Sequence, residues 1–191
     1  MTTTWISEDG EPVSKKISIF GWVLLFSRGS AIIFIILFGL ILKFLLRFFE
    51  RPIFGDRRPV SPQITVIVSK ISLWLLAIPV IRFGAPLKQP GAFVANHSSW
   101  LDIFALNSGQ SLYFVSKSEV ASWPGIGFLA KVTGTLFIRR ESKEAVAQKK
   151  LFGQRIKMGH RLLFFPEGTS TDGMRVLPFK SALFQAFFDS G

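Results

Sequence analysis

The fold and the chemistry of this chain centre on residues 96–102, which read Asn96-His97-Ser98-Ser99-Trp100-Leu101-Asp102. A short apolar run, Gly91 to Ala95, precedes them and predicts a buried strand. Ser98 or Ser99 can cap a helix that begins near Trp100. We therefore expect His97 at the carboxyl end of a strand, just before a helix, where ligand chemistry gathers in open α/β sheets.

His97 and Asp102 have the residue types and the spacing of a general base and the group that orients it. A carboxylate on one ring nitrogen fixes the tautomer of the imidazole and leaves the other nitrogen free to take a proton. Residues of these types also act simply as caps or dipole partners at helix starts. A serine hydrolase with Ser98 or Ser99 as nucleophile is a further alternative, although the glycine-flanked elbow of such enzymes is missing.

The composition favours a partner that is an anionic membrane surface. The chain has 191 residues, with 23 Lys and Arg against 12 Asp and Glu, and 49% of its residues are hydrophobic. A basic and apolar chain fits a lipid surface better than a nucleic acid, and no nucleic-acid recognition motif is present. The sequence has no cysteine and only two histidines, which excludes thiolate chemistry and argues against a metal site.

We expect three segments along the chain. Residues 1–16 are a polar N-terminal tail, residues 17–84 are a membrane-associated two-helix segment, and residues 85–191 are an α/β domain. The apolar segments Ile17 to Phe49 and Ile64 to Ile81 predict the two helices. Positive charge flanks the first segment on both sides, so two full spans would conflict with the positive-inside tendency. The sequence therefore predicts a monotopic or single-span protein on the cytoplasmic face of a membrane.

Strands alternate with helices in the third segment, which predicts a largely parallel sheet. Polar residues follow three of these predicted strands and, in a parallel sheet, lie along one edge near His97. Cationic side chains beside a glycine-loosened turn favour a phosphate site. The residues are Lys117, Arg139, Arg140, Glu167, Gly168, Thr169 and Ser170. His160, in contrast, is expected to be a solvated loop residue.

Four blocks in this segment carry a resemblance to the glycerolipid acyltransferases. His97 and Asp102 resemble the His-x4-Asp (HX4D) motif of that family. Three further blocks follow in the family's order, with Arg140 at the functional arginine of the second and Pro178 at the proline of the fourth: 134–140, 165–169 and 176–180. Lys117-Ser118-Glu119 resembles the family's lysine segment. The likeness is strongest to the 1-acyl-sn-glycerol-3-phosphate (lysophosphatidate) acyltransferases, whose two-helix membrane motif corresponds to residues 17–81.

The resemblance implies the α/β domain of that family and an O-acyltransferase of lipid biosynthesis. The reaction would move a fatty acyl group from acyl-CoA or acyl-carrier protein to the free hydroxyl of a lysophospholipid, making phosphatidate from 1-acylglycerol-3-phosphate. His97 would be the base and Asp102 would hold it, while backbone N–H groups after His97 would stabilise the oxyanion. The chemistry needs no cofactor or metal. The residues implied in substrate binding are Lys117, Arg139, Arg140, Glu167, Gly168, Thr169 and Pro178.

One departure from the family pattern affects the acceptor. Many lysophosphatidate enzymes have an arginine directly after Glu-Gly-Thr, where this chain has Ser170. The loss of that cation favours a different head group, such as that of a lyso-ornithine lipid. A protein that binds anionic membranes without catalysis is the alternative of another class. The family's domain normally continues further, so we expect the C-terminal part of the domain to be missing after Gly191.

Overall fold

The computed structural model describes residues 16–139, 145–181 and 184, which form two long helices followed by a four-stranded α/β unit. The predicted fold class is confirmed. The sequence predicts four strands, at residues 91–95, 112–116, 135–138 and 161–165, and each is present within one residue of those bounds. The elements are α1 (Ile19–Phe54), α2 (Ser61–Leu75), β1 (Gly91–Val94), α3 (Asp102–Asn107), β2 (Tyr113–Lys117), a 3-10 turn (Ser118–Ser122), α4 (Ile126–Thr133), β3 (Leu136–Ile138), α5 (Ala145–Lys157) and β4 (Arg161–Phe164).

Helix α1 is 36 residues long and leaves most of its large apolar side chains exposed. The Ser18 hydroxyl caps it by accepting the N–H of Gly21, and it ends at Gly55, whose φ of 59° is easy only for glycine. At 1.5 Å per residue the helix is about 54 Å long, well beyond the roughly 30 Å of a bilayer core. Within the described residues, α1 is the helix that is long and apolar enough to cross a membrane.

Helix α2 is shorter than the sequence predicted. It has 15 residues, or about 22 Å, which is too little to cross a bilayer core. It begins at Ser61 because Glu50 of α1 accepts the backbone N–H groups of Val60 and Ser61. It ends at Leu75, six residues before the predicted Ile81, and the chain then turns at Ala77 with a φ of 56°.

The sheet has the strand order β1-β4-β2-β3, and every pair is parallel. One face packs a core of buried side chains from three strands against Phe152 of α5. Parallel strands bring their carboxyl ends to one side of the sheet. We call that side, formed by residues following the strands, the carboxyl edge. The opposite side, formed by residues preceding the strands, is the amino edge.

Candidate active site

The segments after β1 and β4 meet at the carboxyl edge because these two strands are neighbours in the sheet. His97 lies in the first segment, and its backbone is held by the second. Its N–H donates to Glu167 Oε1 at 2.8 Å, and its carbonyl accepts the N–H of Thr171 at 2.8 Å. The position of His97 is therefore set by a loop about 70 residues further along the chain.

The imidazole of His97 is paired with Asp102 as the sequence predicted. Nδ1 lies 2.8 Å from Asp102 Oδ2, which also accepts the backbone N–H groups of Ser98 and Ser99 at 2.8 and 3.0 Å. Partial burial of Asp102 opposes ionisation, but the hydrogen bonds from Ser99, His97 and Ser98 outweigh it and lower the pKa of the carboxyl below its usual value. Asp102 is thus a carboxylate at neutral pH.

A carboxylate accepting at Nδ1 requires the proton there and leaves the lone pair of Nε2 available. Nε2 forms no hydrogen bond with any residue in the described part of the chain, and the side chain is 21% exposed. The ring stacks on Phe165, with centroids 4.0 Å apart and planes 13° apart. His97 is therefore oriented on two sides and free to take a proton on the third.

The geometry does not favour the serine hydrolase. The Ser98 hydroxyl donates to Asp102 Oδ1 at 3.1 Å, and Ser99 Oγ accepts the N–H of Leu101 at 3.1 Å. Neither hydroxyl forms a hydrogen bond with His97 among the described residues, as an activated nucleophile would. The oxyanion role expected of the backbone N–H groups at the helix start after His97 stays a prediction, and those of Ser98 and Ser99 donate to Asp102.

Glu167 is 2% exposed and links three of the four blocks. Its Oε1 accepts the N–H of His97, and its Oε2 accepts the N–H of Leu177 at 2.9 Å. Both oxygens are therefore engaged by backbone groups of the protein itself. Substrate binding by Glu167 stays a prediction, and the contacts shown are those of a residue that positions His97.

Thr171 and Phe165 also hold His97, and neither role was predicted from the sequence. Thr171 is 5% exposed, and its hydroxyl lies within hydrogen-bond distance of the carbonyl oxygens of His97 and Arg175. Phe165 forms the platform under the imidazole. Phe165 lies inside the motif block 165–169, so the sequence held a signal that could have identified it as a site residue. Nothing local distinguished Thr171 from the neighbouring Thr169 and Ser170.

The remaining predicted residues are spread along the carboxyl edge. Lys117 ends β2 and Arg139 follows β3; both are exposed. At about 4.8 Å between neighbouring strands, β2 is about 10 Å and β3 about 14 Å from the strand of His97. Arg140 lies outside the described residues.

The turn after β4 holds Gly168 at a φ of 75°, beside a half-buried Thr169, and Pro178 is exposed. Arg175, in the same loop, forms an ion pair of 3.1 Å with Asp172. Roles for the predicted residues in substrate binding stay predictions. The described residues contain no group of three or more His, Cys, Asp or Glu that could hold a metal ion.

Comparison with known proteins identifies the family of this chain. The family described as Acyltransferase matches residues 79–191. A lyso-ornithine lipid O-acyltransferase of Rhodobacter capsulatus is 49% identical over 187 residues, covering 98% of this chain and 67% of the relative. A 1-acyl-sn-glycerol-3-phosphate acyltransferase of Neisseria gonorrhoeae is 39% identical over 109 residues, covering 56% of this chain and 43% of the relative.

A solved structure shares the fold. The 1-acyl-sn-glycerophosphate acyltransferase PlsC from Thermotoga maritima matches with a TM-score of 0.57 at 19% identity, over 86% of this chain and 72% of that one. This chain spans about two thirds of the length of the Rhodobacter relative and less than half of the Neisseria one. The interpretation drawn from the four blocks is confirmed, and the chain belongs to the acyltransferase family.

Proposed function

We propose that this chain catalyses acyl transfer from a thioester, acyl-CoA or acyl-carrier protein, to the free hydroxyl of a lysolipid. The observation that carries this is the His97–Asp102 pair at the carboxyl edge, with Nε2 unoccupied by any described residue. The relatives named lyso-ornithine lipid O-acyltransferase and 1-acyl-sn-glycerol-3-phosphate acyltransferase support a lysolipid acceptor.

In this reaction His97 Nε2 removes the proton of the acceptor hydroxyl as its oxygen attacks the thioester carbonyl. A C–O bond forms, the C–S bond breaks, and the imidazolium returns the proton to the leaving thiolate. Asp102 holds the ring in the required tautomer and stabilises its positive charge. The acceptor itself is the nucleophile, so no acyl-enzyme is needed.

Among lysolipids, a lyso-ornithine lipid is the acceptor that the observations favour. An ornithine group carries a carboxylate and an amine, and so needs fewer cations than a phosphate monoester. This chain has Ser170 where an arginine would supply a cation. The loop that contains Ser170 also carries one negative and one positive side chain, the Asp172–Arg175 pair. That loop lies over the site, since a Cβ on Gly173 would be 3.6 Å from Ser98 Cβ.

Lysophosphatidate is the second candidate, favoured by the Neisseria relative. By resemblance, Arg140 and Lys117 would hold the acidic group of either acceptor. A guanidinium can bind a carboxylate or a phosphate with two parallel hydrogen bonds, which a lysine cannot reproduce.

Labelled thioester offered with a panel of lysolipids tests the acceptor. We expect the native full-length protein to acylate lyso-ornithine lipid faster than lysophosphatidate, and Ser170→Arg to shift the ratio towards lysophosphatidate. Gln89→Arg adds the same charge just before β1, at the amino edge, and should leave the ratio unchanged. Release of free acid without acceptor would indicate a hydrolase. If the native protein and Ser170→Arg both acylate the two acceptors at equal rates, the proposed preference for lyso-ornithine lipid is wrong.

A further inference from the structure

The amino edge, on the far side of the sheet from His97, holds a second group of polar side chains. It comprises Arg58 from the α1–α2 connector, Tyr113 of β2, Gly134 before β3, Arg155 of α5 and His160 before β4. We call these five residues the amino-edge cluster. Strands of three to five residues, about 10–16 Å, separate it from the carboxyl edge.

Direct contacts join these residues. The Tyr113 ring lies 4.3 Å from the His160 ring and 4.7 Å from the guanidinium carbon of Arg155. Arg155 donates to the carbonyl of Gly134 at 3.0 Å. A Cβ on Gly134 would lie 2.6 Å from Arg58 Nη1, so the absence of a side chain there lets Arg58 reach the cluster. Gly134 also has a φ of 89°, a backbone conformation that favours glycine.

The cluster concentrates positive charge with no described carboxylate in ion-pair contact, although Asp56 acts on Arg155 at longer range. Neither Arg58 nor Arg155 forms an ion pair with an acidic residue of the described ranges, and the nearby Glu50 and Asp56 pair with Arg47 instead. Burial, and then the charge of Arg58, lower the pKa of Arg155. Burial and the charge of Arg155 lower the pKa of His160 to about 4, so this histidine is neutral at pH 7.

Several buried polar atoms of the cluster also lack partners. Tyr113 and His160 are 5% and 3% exposed. Four atoms have no hydrogen-bond partner among the described residues: Tyr113 Oη, His160 Nδ1, Arg58 Nε and Arg155 Nε. His160 Nε2 is engaged with the carbonyl of Arg57 at 3.1 Å. Because the Arg57 carbonyl accepts from Nε2, Nδ1 of this neutral histidine is an acceptor, and the unpaired donors are Tyr113 Oη and the Nε atoms of the two arginines. Buried polar groups are almost always paired, so three donors in one place indicate an acceptor shared between them.

We propose that the amino-edge cluster binds an oxyanion of the phosphate class. Such an anion offers several acceptor oxygens to two guanidiniums and a phenol, and it balances their charge. The connector that carries Arg58 directly follows the apolar helix α1, so the phosphate can come from a lipid head group as well as from solution. The site is separate from the acyl-transfer site and does not depend on the function proposed for it.

The test measures thermal unfolding of the full chain in neutral detergent against inorganic phosphate, with ionic strength held constant by potassium chloride. A second arm measures flotation with phosphatidylcholine vesicles, with and without phosphatidate. Arg58→Gln and Arg155→Gln are compared with Arg57→Gln, which removes the same charge from an exposed side chain on the same connector.

We expect phosphate, phosphatidate vesicles or both to bind the native chain and Arg57→Gln, and about tenfold weaker binding after either cluster substitution. A response to phosphate in detergent identifies the free anion as sufficient, and a response to vesicles alone identifies the head group. Equal responses in all variants, or no response in either arm, would overturn the site. Arg58→Gln decides alone if Arg155→Gln does not fold, because the Arg58 side chain forms no hydrogen bond with a described residue, whereas Arg155 donates to Gly134.

Discussion

At the scale of single residues, His97 is fixed by contacts to its backbone as well as to its ring. Glu167 holds its N–H, Thr171 holds its carbonyl, and Asp102 and Phe165 orient the imidazole. A base must lie within hydrogen-bond reach of the proton it removes, so displacement of about 1 Å can cost about 100-fold in rate. Two buried residues of the loop after β4, Glu167 and Thr171, therefore hold the backbone of His97 in place without contacting its imidazole.

Glu167→Gln tests this positioning role. One oxygen of the carboxylate becomes an NH2 group, which cannot accept a backbone N–H, so either His97 or Leu177 loses its partner. We expect kcat to fall about 10- to 100-fold while KM for the thioester changes little. Glu119→Gln makes the same change at an exposed residue and should have native kinetics. An equal loss in both variants, or a change in KM alone, would contradict the role.

At the scale of elements, the strands and their polar tips could be predicted because both signals are local. Each apolar run is followed directly by the residues it delivers to the carboxyl edge, as in Val115-Ser116-Lys117. The strand order was not accessible, because β4 inserts between β1 and β2 through pairings made far apart in sequence. The end of α2 could not be predicted because the apolar run continues to Ile81, beyond the helix, in exposed chain without regular secondary structure.

The packing of α1 on α2 yields a matched pair of substitutions. A Cβ on Gly39 would overlap Val68 Cγ2, whereas a Cβ on Gly29 would meet no atom within 4 Å. Alanine favours a helix by about 1 kcal/mol over glycine, but overpacking costs about 1–3 kcal/mol. Chemical unfolding of both alanine variants in detergent should show Gly39→Ala less stable than Gly29→Ala by about 1–3 kcal/mol. Equal stabilities would mean that the helices do not pack here.

The lengths of the two helices also support a proposal about which side of the membrane the connector between them faces. Because α2 is too short to span, we propose that the connector between the helices stays on the cytoplasmic face, as its arginines suggest. A cysteine replacing the exposed Arg57 should react with an impermeant reagent added from the cytoplasmic side only. Reaction from the opposite side only would contradict this topology.

At the scale of the whole molecule, His160 shows how tertiary packing overrides a local interpretation. The expectation of a solvated loop residue is wrong, since the side chain is 3% exposed against Tyr113 and bonded to the carbonyl of Arg57. A polar residue between Gly159 and a strand looks like a turn residue. Its burial depends on the α1–α2 connector, which lies about 100 residues earlier in the chain.

Stability should depend on pH through His160. Its folded-state pKa is about 4, below the 6.5 of an unperturbed histidine, so between these values the unfolded chain binds more protons. Stability is full above about pH 6.5 and falls by about 3 kcal/mol as the pH drops towards 4. Between pH 6.5 and 4 the free energy of unfolding should decrease less for His160→Gln than for the native chain. Identical pH profiles for the two chains would contradict the buried, neutral histidine.

The most direct test of the central claim is the single-turnover rate of acyl transfer by full-length His97→Ala. Labelled thioester and the best lysolipid acceptor are supplied at saturation, and native folding is checked by thermal unfolding. Because Nε2 is the proposed base, we predict a loss of about 10²–10⁴-fold with the unfolding midpoint unchanged. A folded variant that keeps about half of the native rate or more would contradict His97 as the general base and, with it, the mechanism proposed for this site.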